Sequence, residues 1–412
     1  MSRLEELIQQ YCPDGVEYKR LDEICLVASN IKWKNTSEQY EYIDLTSVDI
    51  GTHAIVMTSK IDSETAPSRA QQIVKQGDVI FATTRPTQMR VCLISQKYDG
   101  AICSTGYCVL RPDNTKVLSP FLFYILSIED FKRYLEQKQT MGNYPAISNK
   151  LLKEYAIPVP PLPVQKEIVR ILDNFAELQA ELQAELQARR KQYEYYRDKL
   201  LTFSDLGKSG GWNVSVQWMK LGEIATLTRG GNFQKKDFTD SGVPCIHYGQ
   251  IYTHFGIHTT STLKYISPDV ASKSKIAKTN DIVMAITSEN VEDVGKCVAW
   301  MGDEDIAVSG HTAIIQHKQN AKYLSYYFHS SHFFTQKKRL AHGTKVIEIS
   351  PKDLANVVIP IPPLAEQQRI VDILDRFHAL TTDITAGLPA EIEARRKQYE
   401  YYRDRLLTFK QK

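Results

Sequence analysis

The chain has 412 residues, 42% of them hydrophobic and 24% charged, with a formal net charge of +3. That length leaves room for two or three domains with cores of their own, and with no apolar run of about eighteen residues a membrane-spanning helix is not expected. So weak a basic balance does not by itself signal nucleic-acid binding, which would have to come from local patches or from a partner.

In chain order, MSRLEELIQQYC opens as an amphipathic helix from Leu4 to Tyr11, followed by Pro13-Asp14-Gly15. It lacks the apolar stretch of a secretory leader, so no signal peptide is expected. GDVIFATT (77–84) reads as a short apolar strand entered through a Gly-Asp turn, and ICSTGYCVLRP (102–112) as a strand pair. SPFLFYILSIEDFKRYLEQ (119–137) has helical periodicity, with Ser119 as N-cap and Pro120 at the first helical position. IPVPPLP then stops a strand and stiffens the entry to a long helix. Apolar residues recur there in steps of three and four, at Ile168, Ile171, Phe175, Leu178, Leu182 and Leu186, then Tyr193, Tyr196, Leu200 and Phe203, the pattern of a coiled-coil seam. The pattern returns at Ile370, Ile373, Phe377, Leu380, Ile384, Leu388 and Ile392, then Tyr399, Tyr402, Leu406 and Phe409. Gly387 and Pro389 interrupt it, so a kink or break is expected there. Each helix is about 40 residues, or roughly 60 Å. The cysteines, Cys12, Cys25, Cys92, Cys103, Cys108, Cys245 and Cys297, are odd in number and form no CxxC pair, as expected of reduced thiols in a cytosolic protein.

The sequence repeats itself. ARRKQYEYYRDKLLTF (188–203) returns as ARRKQYEYYRDRLLTF (394–409), changed only where Lys199 becomes Arg405. Upstream, IPVPPLPVQKEIVRILDNF (157–175) matches IPIPPLAEQQRIVDILDRF (359–377). Weaker matches join KRLDEI (19–24) to MKLGEI (219–224), QGDVIFATT (76–84) to TNDIVMAIT (279–287), and SNKLLKEYAIP (148–158) to SPKDLANVVIP (350–360). AKYLSYYFHSSHFFTQKKRLA (321–341) is the counterpart of 119–137. The chain is therefore a tandem duplication, each copy having a divergent front of mixed α and β and a near-invariant helical back. A helix with an apolar seam needs a partner, and the other copy is the obvious one. Pseudo-twofold symmetry would set the two helices antiparallel, with the fronts at opposite ends of a rod and Gly207 to Gly211 as the turn into the second front. The expected fold class is α+β.

On these residues the chain resembles the DNA-specificity subunit of type I restriction–modification enzymes. The paired IPxPPLxxQ motifs, Ile157 to Gln165 and Ile359 to Gln367, are typical of that family, as are two variable regions each followed by a near-identical helical region. ARRKQYEYYRD and GLPAEIEARRKQYEYYRD look like the type IC group. The resemblance covers essentially the full length. It implies two target recognition domains, over 1–156 and 219–358, each reading half of a split site in double-stranded DNA. A two-helix antiparallel coiled coil, 157–203 and 359–412, would separate them, with 204–218 as linker. It further implies a non-catalytic chain, without cofactors of its own, that docks two modification subunits, which methylate adenine with S-adenosylmethionine. Up to two restriction subunits, using ATP and Mg²⁺, would join through them, in cytoplasmic defence against phage.

A divided DNA target needs two reading heads at fixed spacing and rotation. The first helix contains AELQAELQAELQ (176–187), three copies of a four-residue unit. Four helical residues advance about 6 Å and leave a net turn of about 40°, against about 35° per base pair. Adding a unit therefore moves one head into phase with a gap one base pair longer, with some tilt absorbing the excess rise. Divergent fronts suit the reading of different base edges, and a repeated back suits docking two copies of one partner. The docking candidates are Arg189, Arg190, Lys191, Tyr195 and Arg197, with their copies Arg395, Arg396, Lys397, Tyr401 and Arg403. A solvated helix face is the plainer account, and recent duplication would also keep the copies alike.

Base reading favours Arg, Lys, Asn, Gln, Ser and Thr on exposed loops. In the first front, TTRPTQMR (83–90) nominates Thr84, Arg85, Thr87, Gln88 and Arg90, and TMGNY (140–144) nominates Asn143 and Tyr144. In the second, TSEN (287–290) stands in the place of TTRP and nominates Ser288, Glu289 and Asn290; Glu289 suits a cytosine amino group. AHGTK (341–345) matches TMGNY and nominates His342, Thr344 and Lys345, and HYGQIY (247–252) adds Tyr248 and Gln250. Arg229, Lys235 and Lys236 suit phosphate contacts.

No GxxxxGK[ST] phosphate loop, GxGxxG, HExxH or Asn/Asp-Pro-Pro-aromatic methyltransferase motif occurs. His247, His311 and His317 have no Cys or His at ligand spacing, which argues against a metal. Two other readings stay open on sequence alone. A single-chain nuclease or methyltransferase would turn over DNA with Mg²⁺ and S-adenosylmethionine unaided. A coiled-coil interaction protein would show no salt-dependent binding to a specific duplex even with modification subunits present.

Overall fold

A computed structural model of the chain describes residues 2–203, 215–382 and 387–412. Gly207 to Gly211 and Ile384 lie outside the described residues. Among the described residues no helix is long and apolar enough to cross a membrane. The chain forms two compact units, residues 1–183 with 391–412 and residues 184–390. Each unit joins one front domain to pieces of both helical regions.

In the first unit, helix Arg3–Tyr11 starts in a capping box: Ser2 Oγ accepts the Glu5 N–H and the Glu5 carboxylate accepts the Ser2 N–H. One antiparallel sheet runs in the order Cys25–Leu26, Tyr107–Pro112, Val79–Ala82, Val91–Leu93. A second runs Ser59–Ile61, Tyr40–Ile43, Ile102–Ser104, Ala70–Ile73, its middle pair parallel. Val79–Ala82 is buried throughout, which is why GDVIFATT reads as an unbroken apolar run. The stretch 102–112 does not form the expected strand pair. Its halves find different apolar surfaces: Ile102 packs with Tyr42, Ile61 and Ala70, whereas Cys108 and Leu110 join the main core, so the two strands lie in separate sheets.

The stretch 119–137 also differs from expectation. It makes two helices, Ser119–Ile125 and Glu129–Lys138, with Leu118 rather than Ser119 at the N-cap. The break lets Phe121, Leu122 and Ile125 share one core with Phe131 and Leu135. The second copy breaks at the same place, into Ala321–Phe328 and Ser331–Leu340, where Ser330 caps the second helix through the Phe333 N–H.

The second unit has two five-stranded sheets. One orders Ala225–Arg229, Thr312–His317, Ile282–Ala285, Cys297–Trp300, His258–Thr259. The other orders Phe238–Thr239, Lys264–Ile266, Val243–Ile246, Ile306–Val308, Lys275–Ala277. All seven cysteines are free, six of them buried.

Each front closes onto the root of its helix. Lys19 lies opposite Ile157 in one two-stranded pairing and Met219 opposite Ile359 in the other, so motifs that match at the two ends of each front are hydrogen-bonded partners. The motif glutamines lock that root. Fully buried Gln165 accepts the Leu118 N–H at 2.9 Å and donates to the Lys116 and Pro160 carbonyls at 2.9 and 2.7 Å. Gln367, also fully buried, accepts the Asn320 N–H at 3.0 Å and donates to Pro362 O and Gln319 Oε1, each at 2.8 Å. A tyrosine–aspartate pair repeats in the same way, Tyr124 to Asp173 and Tyr326 to Asp375, both at 2.6 Å.

The first helical region is one continuous helix, Leu162–Thr202; the second is two, Leu364–Thr382 and Leu388–Leu406, in line with the break expected at Gly387 and Pro389. In the first unit Phe175 stacks on Tyr402, centroids 5.9 Å apart and rings 21° from parallel. In the second unit Phe377 stacks on Tyr196 at 5.7 Å and 21°. These are the same two positions of the repeat with the copies exchanged. The expected seam needs correcting in detail: Leu178 and Leu380 are exposed at 37% and 41%, while Leu172, Leu201, Leu374 and Leu407 are buried. The buried set faces the front-domain cores, a second apolar surface that a helix–helix period alone does not anticipate.

The last residues complete the first unit. Val16 N–H donates to Lys410 O, Lys412 N–H to Val16 O, and the Tyr18 hydroxyl to Phe409 O, at 2.9, 3.1 and 2.8 Å. Gly15, at φ +106°, has no Cβ to strike the Lys410 carbonyl.

Candidate nucleic-acid interface

In the first front domain two loops are zipped together. Thr84 bridges Ala146, Arg85 N–H donates to Pro145 O at 2.7 Å, and Ile147 N–H to Thr83 O at 2.9 Å. This brings Thr84, Arg85, Thr87 and Gln88 alongside Asn143 and Tyr144. Left-handed backbone at Arg85 and Met89 flanks the short turn Pro86–Gln88. The Arg85 guanidinium lies over the Tyr144 ring, 5.3 Å from its centroid. Gln88 and Asn143 are exposed, Thr84 and Thr87 half-buried. Arg90 is placed differently from its neighbours. Its guanidinium donates to the Leu45 carbonyl, which also accepts the Tyr107 hydroxyl, so in this chain it ties the 44–48 turn to the sheet.

The second front builds the same junction from other residues. Thr287–Ser288 pairs with Ile347–Glu348, and Ile349 N–H donates to Ile286 O at 3.0 Å. His342, Thr344 and Lys345 are exposed on the returning loop. Tyr248, Ser288, Glu289 and Asn290 line a cleft of about 370 Å³ together with Tyr252 and His311. Asn290 is engaged at both ends of its amide, donating to Asp293 Oδ2 and accepting the Asp293 N–H. Gln250 does not face the cleft as a reading residue would: it is buried, and its Oε1 accepts the His247 N–H at 2.8 Å, closing the start of helix Tyr248–Thr253. Arg229 donates to Gly310 O and pairs with Glu348 at 3.0 Å, while Lys235 and Lys236 stand exposed on their turn.

The histidines have partners of their own. His247 accepts the Gly249 N–H and is pushed down to about 4 by burial, then by Lys235 and His311. His317 accepts the Gln319 N–H, and burial pushes it to about 4. His311 Nδ1 lies 3.0 Å from Thr287 Oγ1. Among the described residues no group of three or more His, Cys, Asp or Glu side chains is placed to hold a metal ion.

Sequence reasoning did not nominate Tyr252 or His311 for the cleft they line, nor the exposed Met141. Tyr252 sits four residues beyond Tyr248 on one helix, a spacing that puts both on one face. His311 precedes the strand Thr312–His317, and only the pairing of that strand with Ile282–Ala285 sets it beside Thr287. Met141, 95% exposed, lies on the same loop as Tyr144.

On the repeated helical segment Tyr195 and Tyr401 are exposed at 59% and 61%, and Arg190, Lys191, Arg396 and Lys397 are exposed beside them. Arg189 and Arg395 are half-buried, each bonded to the glutamine three residues on. Arg197 and Arg403 depart from the expectation of a docking surface. Each side chain is only 14% exposed, pairs with the next residue, Asp198 or Asp404, and covers a tyrosine ring, Tyr193 or Tyr399.

A family model for the type I restriction modification DNA specificity domain matches residues 13–189 and again 213–394. The chain belongs to the type I restriction–modification DNA-specificity family. The two matches coincide with the two copies of the duplication. The specificity subunit of the Escherichia coli type I restriction enzyme EcoR124I/EcoR124II is 36% identical over 314 residues, 72% of this chain and 72% of that subunit. A solved chain from work on complex assembly and conformational transition of the type I R-M system superposes with TM-score 0.69 at 25% identity, over 96% of this chain and 98% of its own. The HsdS subunit of Thermoanaerobacter tengcongensis gives TM-score 0.54 at 26% identity, over 96% of each chain. Members of the family are named for specificity, so this chain is a recognition component and not the catalytic one.

Proposed function

We propose that this specificity subunit reads a bipartite, asymmetric site in double-stranded DNA, one half per front domain. The observation that carries the reading is the junction found twice: two domains of different sequence each join the loop after a central strand to the loop before the last short helix, and each crowns it with exposed polar side chains. Unlike loops on like scaffolds suit unlike base sequences. Thr84, Arg85, Thr87, Gln88, Asn143 and Tyr144 read one half; Tyr248, Ser288, Glu289, Asn290, His342, Thr344 and Lys345 read the other. Arg229, Lys235 and Lys236 touch phosphates. The repeated tyrosine-rich face docks two modification subunits and, through them, restriction subunits. S-adenosylmethionine, ATP and Mg²⁺ belong to those partners, and the complex works in the cytoplasm, as a type IC system. Removing one AELQ unit tests this reading. Methylome sequencing of cells carrying the variant with its partners should keep both half-sequences and shorten the gap by one base pair; an unchanged gap contradicts it.

A further inference from the structure

Helix Ser331–Leu340 of the second front domain is the counterpart of Glu129–Lys138 in the first, with Phe333 and Phe131 fully buried at matching places. One turn on, the first domain has Leu135, fully buried, and the second has Lys337, only 5% exposed. An ammonium in an apolar position needs hydrogen-bond partners to offset its lost hydration. Lys337 Nζ has two, donating to the carbonyls of Glu292 at 2.8 Å and Val294 at 2.6 Å. The Phe333 and Phe334 rings flank it, 6.0 and 5.3 Å away.

Those carbonyls close a helical turn that begins at Asn290, whose amide holds the Asp293 N–H and whose carbonyl accepts the Val294 N–H. Unpaired carbonyls at the end of such a turn favour a cation. The turn lies in the segment between strands Ile282–Ala285 and Cys297–Trp300, which runs over 286–296 and is three residues longer than its counterpart, 83–90. In the shorter loop Pro86 and the left-handed residues at Arg85 and Met89 set the shape, and Leu135 suffices beneath it.

We propose that Lys337 is a positioning residue for DNA reading by the second front domain: its ammonium holds the 290–294 turn and so fixes where Ser288, Glu289 and Asn290 are presented to the bases. The inference rests on the reading of that domain as one of the two DNA-reading heads. K337L and K337M keep the apolar contacts and remove the donor.

The test uses the complex with modification subunits in cells, read by methylome sequencing. Both variants should keep the half-site read by the first domain and the gap, while the second half becomes degenerate at one or more positions, with about tenfold less discrimination there. Lower methylation of an unaltered motif, or equal loss in both halves, overturns the inference, because a merely structural lysine would act in that way. If neither variant yields a soluble complex, hydrogen exchange of the wild-type complex decides. Amides 290–296 protected like strand Cys297–Trp300 support the lysine, and rapid exchange there overturns it. A wild-type complex that methylates no bipartite motif would instead sink the reading of the heads, whatever Lys337 does.

Discussion

Replacing Gln165 by leucine should destabilise the first unit by about 1–5 kcal/mol and leave the second alone. The side chain is fully buried and makes three hydrogen bonds. Leucine is similar in size but leaves the Leu118 N–H and the carbonyls of Lys116 and Pro160 without partners. Lys116 is exposed, so its carbonyl can turn to water. The other two groups cost about 1–3 kcal/mol each when stranded, and the apolar side chain returns about 1 kcal/mol of that. Urea titration with hydrogen exchange read peptide by peptide separates the units. Amides within residues 1–183 should open at lower urea in Gln165→Leu, and those within 215–382 should not move. A loss below about 1 kcal/mol, or one shared equally by both units, would refute the view that this glutamine locks one front domain to its own helix.

Lys337 is pushed down to about 8 by burial, with Lys296 adding to the effect, from an ordinary value near 10.5. Between those values the unfolded chain binds more protons than the folded one, so stability should rise with pH from about 8 to 10.5, by up to roughly 3 kcal/mol. K337M should lack that rise, and a wild-type-minus-variant difference in urea midpoints that stays flat across the range contradicts it. Tyr195→Ala combined with Tyr401→Ala should change unfolding free energy by less than about 0.5 kcal/mol while weakening association with modification subunits at least about tenfold in sedimentation assays. Unchanged association would remove the exposed tyrosine face from the docking account. Arg403→Ala should do the reverse, costing about 1–2 kcal/mol of stability in the first unit through its lost contacts with Tyr399 and Asp404.

The duplication, the α+β division and the broken second helix were legible because each is written locally, in a repeated motif, a strand-length apolar run, or a Gly and Pro inside a helical period. What escaped was decided by distant neighbours. Gln165 stood out as part of a motif, but its bonds to Lys116 and Leu118 are made by residues nearly fifty positions away. Arg197 and Arg403 read as surface charge because a helical period does not reveal the tyrosine each one covers. Gln250 carried the right chemistry for base reading and was taken up by a helix start. Lys337 stands in a run of basic residues, a context that carries no sign of burial, and only the longer loop above it explains why it is buried.

The central claim is that two independent heads in one chain each read their own half of a DNA site. Exchanging residues 219–357 for the corresponding segment of another family member, and sequencing the methylome of cells that also carry the modification subunits, measures this directly. One half of the methylated motif should change and the other should stay as it was; a change in both halves, or in neither, would contradict the account.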